Sequence, residues 1–365
     1  MSRVGIAGAG SIAFGTAALL HVNGHDPMLW SPSGASTECL KDGPLKATGG
    51  IETEFTPRVA SSAQELCEEN EAILIALPGY GHKAVFDALI PHIREGQHVI
   101  ISSHASLGAI YLTEGLAARG ISAVITAWGT TAVTGRRGED ASVKVNTVRK
   151  KVDLCTVPDT RSDCAKAACT QLFGDVFVPR EGLLAITLSN LNPQNHMGIA
   201  LGNITRMERG ETWSQGQNVT PKVGALLEAL DLERLAIAEV LGLQTKTIFE
   251  HFSVSFHVPE ASVSEMNQQM YAQGTGGTGP ATADSRYVTE DVPYGLQATA
   301  VLGRLAGRPA PLHEAGIQIF SAMYGRDFAG ENEILNALDL GRYSLEDLQD
   351  AARTGLLRKT PQTAS

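Results

Sequence analysis

The first seventeen residues constrain this chain most. Val4 and Ile6 mark a β-type apolar run that leads directly into Gly8-Ala-Gly10-Ser-Ile-Ala13, and Phe14, Ala17, Ala18 and Leu19 follow. The order reads as strand, tight turn and helix. Gly8 permits the turn, Gly10 lets an anion approach the backbone, and the small Ala13, Gly15 and Ala17 let the helix sit close to a sheet. The helix N-terminus then presents free N–H groups and a partial positive charge. Gly8, Gly10, Ser11, Ile12 and Ala13 are therefore candidates for holding the pyrophosphate of a dinucleotide. A GxGxxA match alone is weak, and its placement between strand and helix gives it weight.

A second strand is expected at Asp26–Ser31, and the residues at its end select the cofactor. NAD sites usually place a carboxylate there for the ribose hydroxyls. Here the chain reads Trp30-Ser31-Pro-Ser33-Gly34, with no acid. The hydroxyls of Ser31 and Ser33 suit a 2′-phosphate that a carboxylate would repel, so the expected cofactor is NADP, with NAD as the alternative and no arginine in that loop.

The pattern repeats. Ala72–Leu77 is a continuous apolar run, as in a strand buried on both faces, and it ends in Pro78-Gly79-Tyr80-Gly81-His82. Leu77 and Pro78 would lie at the carboxyl edge of the sheet, where ligands bind in open α/β folds. His98–Ser103 and Ile121–Trp128 are further strands, with amphipathic stretches such as Lys83–Arg94 between them. The alternation predicts a parallel, doubly wound sheet. From Ala141 the period becomes two. Ala141–Val148 and Val152–Val157, split by Arg149-Lys150-Lys151, read as an antiparallel hairpin, and Asp175–Pro179 as an edge strand. After Gly182 helical patterns take over. Thr220-Pro221 opens a helix whose face carries Val223, Leu227, Leu230, Arg234 and Ile237. Others are expected at Pro293–Ala306, Pro311–Tyr324 and Glu331–Leu338, with a last one opening at Ser344. The fold class is thus an α/β Rossmann-type N-terminal domain (1–182) followed by an all-α C-terminal domain (183–357), with a polar tail at 358–365 expected to be disordered.

A net charge of −10 argues against nucleic acid or a membrane surface as partner. Cys39, Cys67, Cys155, Cys164 and Cys169 show no metal-ligand spacing, so they read as free thiols of a cytoplasmic protein with no metal site. A helical second domain is a common dimer interface, so a homodimer is compatible with the sequence, which does not fix it.

Chemistry is expected in Leu188-Ser-Asn190-Leu-Asn192-Pro-Gln-Asn195-His196. Three asparagines and a histidine in a helical segment are costly unless they meet polar partners. An interdomain cleft holding a polar substrate would supply them, with Asn192 and Asn195 as contacts and His196 as a proton carrier near neutral pH. A carboxylate to orient the imidazole is best sought at Glu290 or Asp291. His82 and His104, which follow sheet strands, rank lower.

These residues give the chain a resemblance to the opine dehydrogenases over nearly its whole length. The specific pieces are Leu188-Ser-Asn-Leu-Asn-x-x-x-His196, Thr220-Pro-x-Val-Gly224 with Asp231-x-Glu-Arg-x-Ala-Ile-Ala238, and Gly279-Pro-x-x-x-x-Ser-Arg286-Tyr-x-x-Glu-Asp291. The resemblance implies condensation of a 2-oxo acid with the amino group of an amino acid, and reduction of the imine by hydride from a nicotinamide. It places the histidine and aspartate of that chemistry on His196 and Asp291. Arg136 is similar to an arginine of the family pattern, and Arg136 and Arg286, with Arg206 in reserve, are candidates to grip substrate carboxylates. At Ser31 the chain departs from NAD-using members. Two other readings are a 2-dehydropantoate reductase-like enzyme, for which a lysine is missing at the start of the second domain, and a sensor that binds NADP(H) without turnover.

Overall fold

The computed structural model describes residues 1–359, and the chain forms two compact units. The first comprises Met1–Ile186 together with residues from Glu346 on, and the second is Thr187–Leu345.

The strands of the first unit are β1 (Arg3–Ala7), β2 (Asp26–Trp30), β3 (Leu45–Gly49), β4 (Thr53–Phe55), β5 (Arg58–Val59), β6 (Ala72–Ile75), β7 (His98–Ile101), β8 (Val124–Trp128), β9 (Val133–Arg137), β10 (Ser142–Val148), β11 (Val152–Val157) and β12 (Phe177–Pro179). Its helices include α1 (Ser11–Val22), α2 (Ala63–Glu69), α3 (His82–Leu89), α4 (Gly108–Ala117) and α5 (Ser162–Phe173). The main sheet runs β12-β11-β8-β7-β6-β1-β2-β5. From β8 to β5 every pair is parallel. The chain leaves β1 toward β2 on one side and later returns through β6 on the other, so the strand order reverses at β1, the place where open sheets bind ligands.

The expected hairpin does not form. β11 pairs antiparallel with β8 in the main sheet, whereas β10 pairs with β9 and β3 in a separate sheet of order β4-β3-β10-β9. The main sheet is therefore mixed rather than wholly parallel. Burial explains the split. β10 alternates, with Val143 and Val145 buried and Lys144 exposed, as suits a sheet covered on one face. β11 is buried along most of its length, as an interior strand must be. The charged Arg149-Lys150-Lys151 link carries the chain from one sheet to the other. The small sheet packs on α1: a Cβ on Gly15 would stand 3.0 Å from Val133 Cγ2.

Helix α6 (Gly182–Ser189) spans the division. The second unit then contains α7 (Asn192–Glu208), α8 (Gln215–Asn218), α9 (Pro221–Val240), α10 (Ile248–Phe256), α11 (Val263–Ala272), α12 (Arg286–Thr289), a π-turn at Val292–Leu296, α13 (Gln297–Leu305), α14 (Pro311–Tyr324) and α15 (Glu333–Leu338). Among the described residues it has no strand. Its core gathers Met197, Leu227, Leu230, Val263, Met266, Val292, Leu296 and Phe320. Two glycines one turn apart let α7 and α9 approach closely: a Cβ on Gly198 would meet Leu227 at 2.5 Å, and one on Gly202 would meet Val223 at 2.6 Å.

The last helix, α16 (Leu345–Thr354), groups with the first unit, although residues up to 357 were expected in the second domain. Arg353 faces Asp159 at 3.7 Å, and the Leu357 amide donates to Glu114 at 2.6 Å. The polar tail read from the sequence lies, from residue 360 on, outside the described residues.

Candidate active site

In the first unit, the turn after β1 has the shape of a phosphate cradle. Gly8 sits at φ +134°, and a Cβ there would lie 2.3 Å from the Ala76 carbonyl at the end of β6. A Cβ on Gly10 would meet nothing within 4 Å, so an anion can reach that backbone. No side chain caps α1. The first intrahelical bond is Phe14 N–H to the Gly10 carbonyl, which leaves the amides of Ser11, Ile12 and Ala13 directed out of the helix end. The residues fit a pyrophosphate.

The other cofactor candidates are distributed around that turn. Ser31, at the end of β2, is buried, and its hydroxyl has no hydrogen-bond partner; Ser33 is exposed. Leu77 and Pro78 close β6, and the Leu77 carbonyl faces the ring of buried His82 at 3.1 Å. His82 and His104 are interior groups. Burial pushes His82 down to about 4 and His104 down to about 3, so both are neutral at physiological pH. Arg136 is exposed on β9. Its neighbour Arg137, which sequence reasoning passed over, folds back onto the turn instead and donates from Nη1 to the Ala9 carbonyl at 2.6 Å.

In the second unit the structure brings His196 and Asp291 together. Nδ1 of His196 lies 2.7 Å from Asp291 Oδ2. A carboxylate in that position accepts a hydrogen bond from Nδ1–H, so Nε2 is left with its lone pair. His196 sits one turn into α7, where Pro193 at the first turn and an Asn190 side chain accepting from the Asn192 amide set the start of the helix. Asp291 stands where α12 passes into the π-turn, a widened turn of a kind frequent at functional sites. Gly295 in that turn lies against Pro193: a Cβ would be 2.2 Å from Pro193 Cγ. No other residue allows this approach, which holds Asp291 beside α7.

A third ring completes the pair. Tyr287 stacks on His196 with centroids 3.6 Å apart and planes at 10°. Its hydroxyl donates to Gln215 Oε1 at 2.6 Å. Burial, with help from Asp291, pushes this phenol up to about 12, so it stays protonated. Sequence reasoning gave Tyr287 no role. Its spacing of four residues before Asp291 on a helical pattern was the available signal.

The remaining candidates separate. Asn195 is buried beside His196, and its carbonyl oxygen has no partner. Asn192 is exposed. Glu290 lies 3.4 Å from Arg286 rather than at the imidazole, and the Arg286 side chain is 65% exposed. Arg206 is paired with Glu211 at 2.9 Å.

Behind α7 lies a buried ionic network. Asp231 accepts from Gln194, from Arg234 and from the Ile248 amide, and Arg234 donates to the carbonyls of Leu188 and Lys246. The sequence pattern placed Arg234 on an apolar face. Its guanidinium is accommodated there because every donor direction that the network uses ends on an oxygen.

A nucleotide-binding α/β unit and a helical unit holding an oriented imidazole define a nicotinamide-nucleotide-linked oxidoreductase. Residues 179–324 match the α-helical domain of the NAD/NADP octopine/nopaline dehydrogenases, and residues 4–134 match the ketopantoate reductase PanE/ApbA family. An opine dehydrogenase of Arthrobacter sp. (strain 1C) is 27% identical over 351 residues, 95% of this chain and 97% of the relative. Octopine dehydrogenase in complex with NADH and agmatine has a similar fold, with TM-score 0.81 at 16% identity over 100% of both chains. So does NADP+-bound yersinopine dehydrogenase, with TM-score 0.69 at 15% identity over 97% and 98% of the two chains. The chain is similar to the opine dehydrogenases along nearly its whole length.

Proposed function

We propose that the protein catalyses NADPH-dependent condensation of an amino acid's amino group with a small 2-oxo acid such as pyruvate, and the reverse oxidation. The observation that carries this reading is the His196–Asp291 pair at 2.7 Å. The free Nε2 accepts a proton from the amino acid's ammonium group, which exposes the lone pair that attacks the oxo carbon. The same proton returns as the carbinolamine loses water to give the imine. Asp291 fixes the tautomer and stabilises the imidazolium while it exists. Tyr287 keeps the ring in plane. Asn195 offers its unpartnered carbonyl to a donor on the substrate, with Asn192 further out on the same helix. Arg286 and Arg136 offer guanidinium groups to substrate carboxylates. When bound, the reduced nicotinamide supplies the hydride that reduces the imine carbon.

NADP is the preferred cofactor on this reading because the end of β2 carries the hydroxyls of Ser31 and Ser33 and no acid. The match to ketopantoate reductases covers the nucleotide-binding half, and the helical half carries no lysine at the start of α7 for that chemistry. A cytoplasmic setting accords with five cysteines that are all free. No helix among the described residues is long and apolar enough to cross a membrane.

The test is turnover against cofactor binding in His196→Asn and Asp291→Ala. Each is expected to lose about 10²–10⁴-fold in kcat while NADPH titrates as in the wild type. Near-wild-type kcat in either variant contradicts the assignment.

A further inference from the structure

We propose that Arg137 is the cation that recognises the 2′-phosphate of an NADP-type dinucleotide and so sets the choice of cofactor. This rests on the NADP reading above and supplies the charge that the loop after β2 lacks.

Position is the first support. The Arg137 amide donates to Ser11 Oγ at 2.9 Å, which seats this end of β9 over the start of α1. The guanidinium then reaches in two directions. Nη1 donates to the Ala9 carbonyl in the glycine turn, and Nη2 points at Cys39 Sγ at 3.1 Å. Cys39 belongs to the short 3-10 helix Ala35–Leu40, which follows directly on the Ser31–Gly34 loop. The guanidinium therefore bridges the turn after β1 and the segment after β2. In this fold the adenosine ribose lies between those two segments.

Orientation and charge are the second support. The guanidinium lies over the Phe14 ring, 4.5 Å from its centroid, which holds its plane and leaves its edge to bind. Among the described residues no carboxylate pairs with it: the guanidinium groups with acidic partners are those of Arg58, Arg180, Arg206, Arg234, Arg286, Arg304, Arg326, Arg342 and Arg353. One of its nitrogens is engaged only by a thiol, a weak acceptor that a phosphate oxygen displaces readily.

The third support is independent. Ser31 Oγ is buried without a partner, in a residue only 8% exposed. An unpaired buried hydroxyl is costly, and a ligand oxygen at the end of β2 would satisfy it.

Titration of the full-length protein with NADPH, NADH, adenosine 2′,5′-bisphosphate and 5′-AMP tests this without turnover. The wild type should bind the 2′-phosphorylated member of each pair more tightly. Arg137→Gln should weaken NADPH and the bisphosphate by about ten- to a hundred-fold, with NADH and AMP changed less than about threefold. Arg137→Lys should recover part of the loss. A wild type without preference for the 2′-phosphate removes the NADP reading itself. A wild type that prefers it, with the preference intact in Arg137→Gln, overturns the role of Arg137 alone. An equal loss for all four ligands assigns Arg137 to the glycine turn and also overturns the proposal. Should Arg137→Gln fail to fold, phenylglyoxal labelling of the wild type decides: protection of Arg137 by the bisphosphate and not by AMP is expected, and equal protection or none contradicts it.

Discussion

His196 owes its chemical character to two contacts, a carboxylate on Nδ1 and a phenol ring on one face, which leave the Nε2 lone pair to accept a proton. The first was legible in the sequence, because a cluster of amides around one histidine in a helix is too costly to occur without a polar purpose, and because acids are concentrated at Glu290 and Asp291. Which acid pairs was not legible in the residue pattern itself, and only the resemblance singled out Asp291. The pairing depends on the π-turn, which places Asp291 at the imidazole and leaves Glu290 beside Arg286. Tyr287 was equally hidden, since a tyrosine four residues from an aspartate is common on any helix. Ser31 belongs to the same scale. Ser31→Asp replaces a hydroxyl by a carboxylate at the end of β2, where an acid accepts ribose hydroxyls and repels a 2′-phosphate. The ratio of NADPH to NADH affinity is expected to fall about tenfold or more, a loss within the range of one charged hydrogen bond. An unchanged ratio in paired binding titrations contradicts the reading of that loop.

Among the elements, α7 carries the candidate proton carrier, and its surroundings explain how it is held. Gly198 and Gly202 bring it against α9, Gly295 brings the π-turn against Pro193, and Asp231 ties Gln194 to Arg234 and to the start of α10. Removing Asp231 leaves the Arg234 guanidinium buried without its counter-charge. Asp231→Ala is expected to lower stability by about 3–5 kcal/mol, read as the urea midpoint at unchanged m-value. A change under about 1 kcal/mol would show that water already reaches the network. Helix positions in this half were largely legible, since apolar residues recur at helical spacing. Sheet membership was not. Val143 and Val145 alternate whichever partner they have, so period two identified β10 as a strand and left open the choice between β11 and the small sheet on α1. Arg137 escaped notice for that reason: its meaning depends on the small sheet lying over the glycine turn.

For the whole molecule, the buried histidines of the first unit set an acid limit. His82 and His104 are neutral in the folded chain, at about 4 and about 3, because burial disfavours the charged ring. In the unfolded chain they titrate near ~6.5. Above that pH both states are neutral and no stability is at stake. As pH falls below it, the unfolded chain takes up protons that the folded chain refuses, and stability drops by up to ~1.4 kcal/mol per pH unit for each ring. The urea midpoint is therefore expected to fall between pH 7.5 and pH 5, before carboxylates with ordinary values near ~4 begin to protonate. A flat midpoint over that window contradicts neutral burial of these rings.

On the proposed function, one chain joins a nucleotide-held hydride to an imidazole-assisted condensation. That coupling is tested most directly by following NADPH absorbance with pyruvate and a pool of amino acids, each alone and together. Oxidation is expected only when both are present, and it is abolished in His196→Asn. Oxidation with ketopantoate alone, or binding of NADPH with no turnover under any pairing, would contradict it.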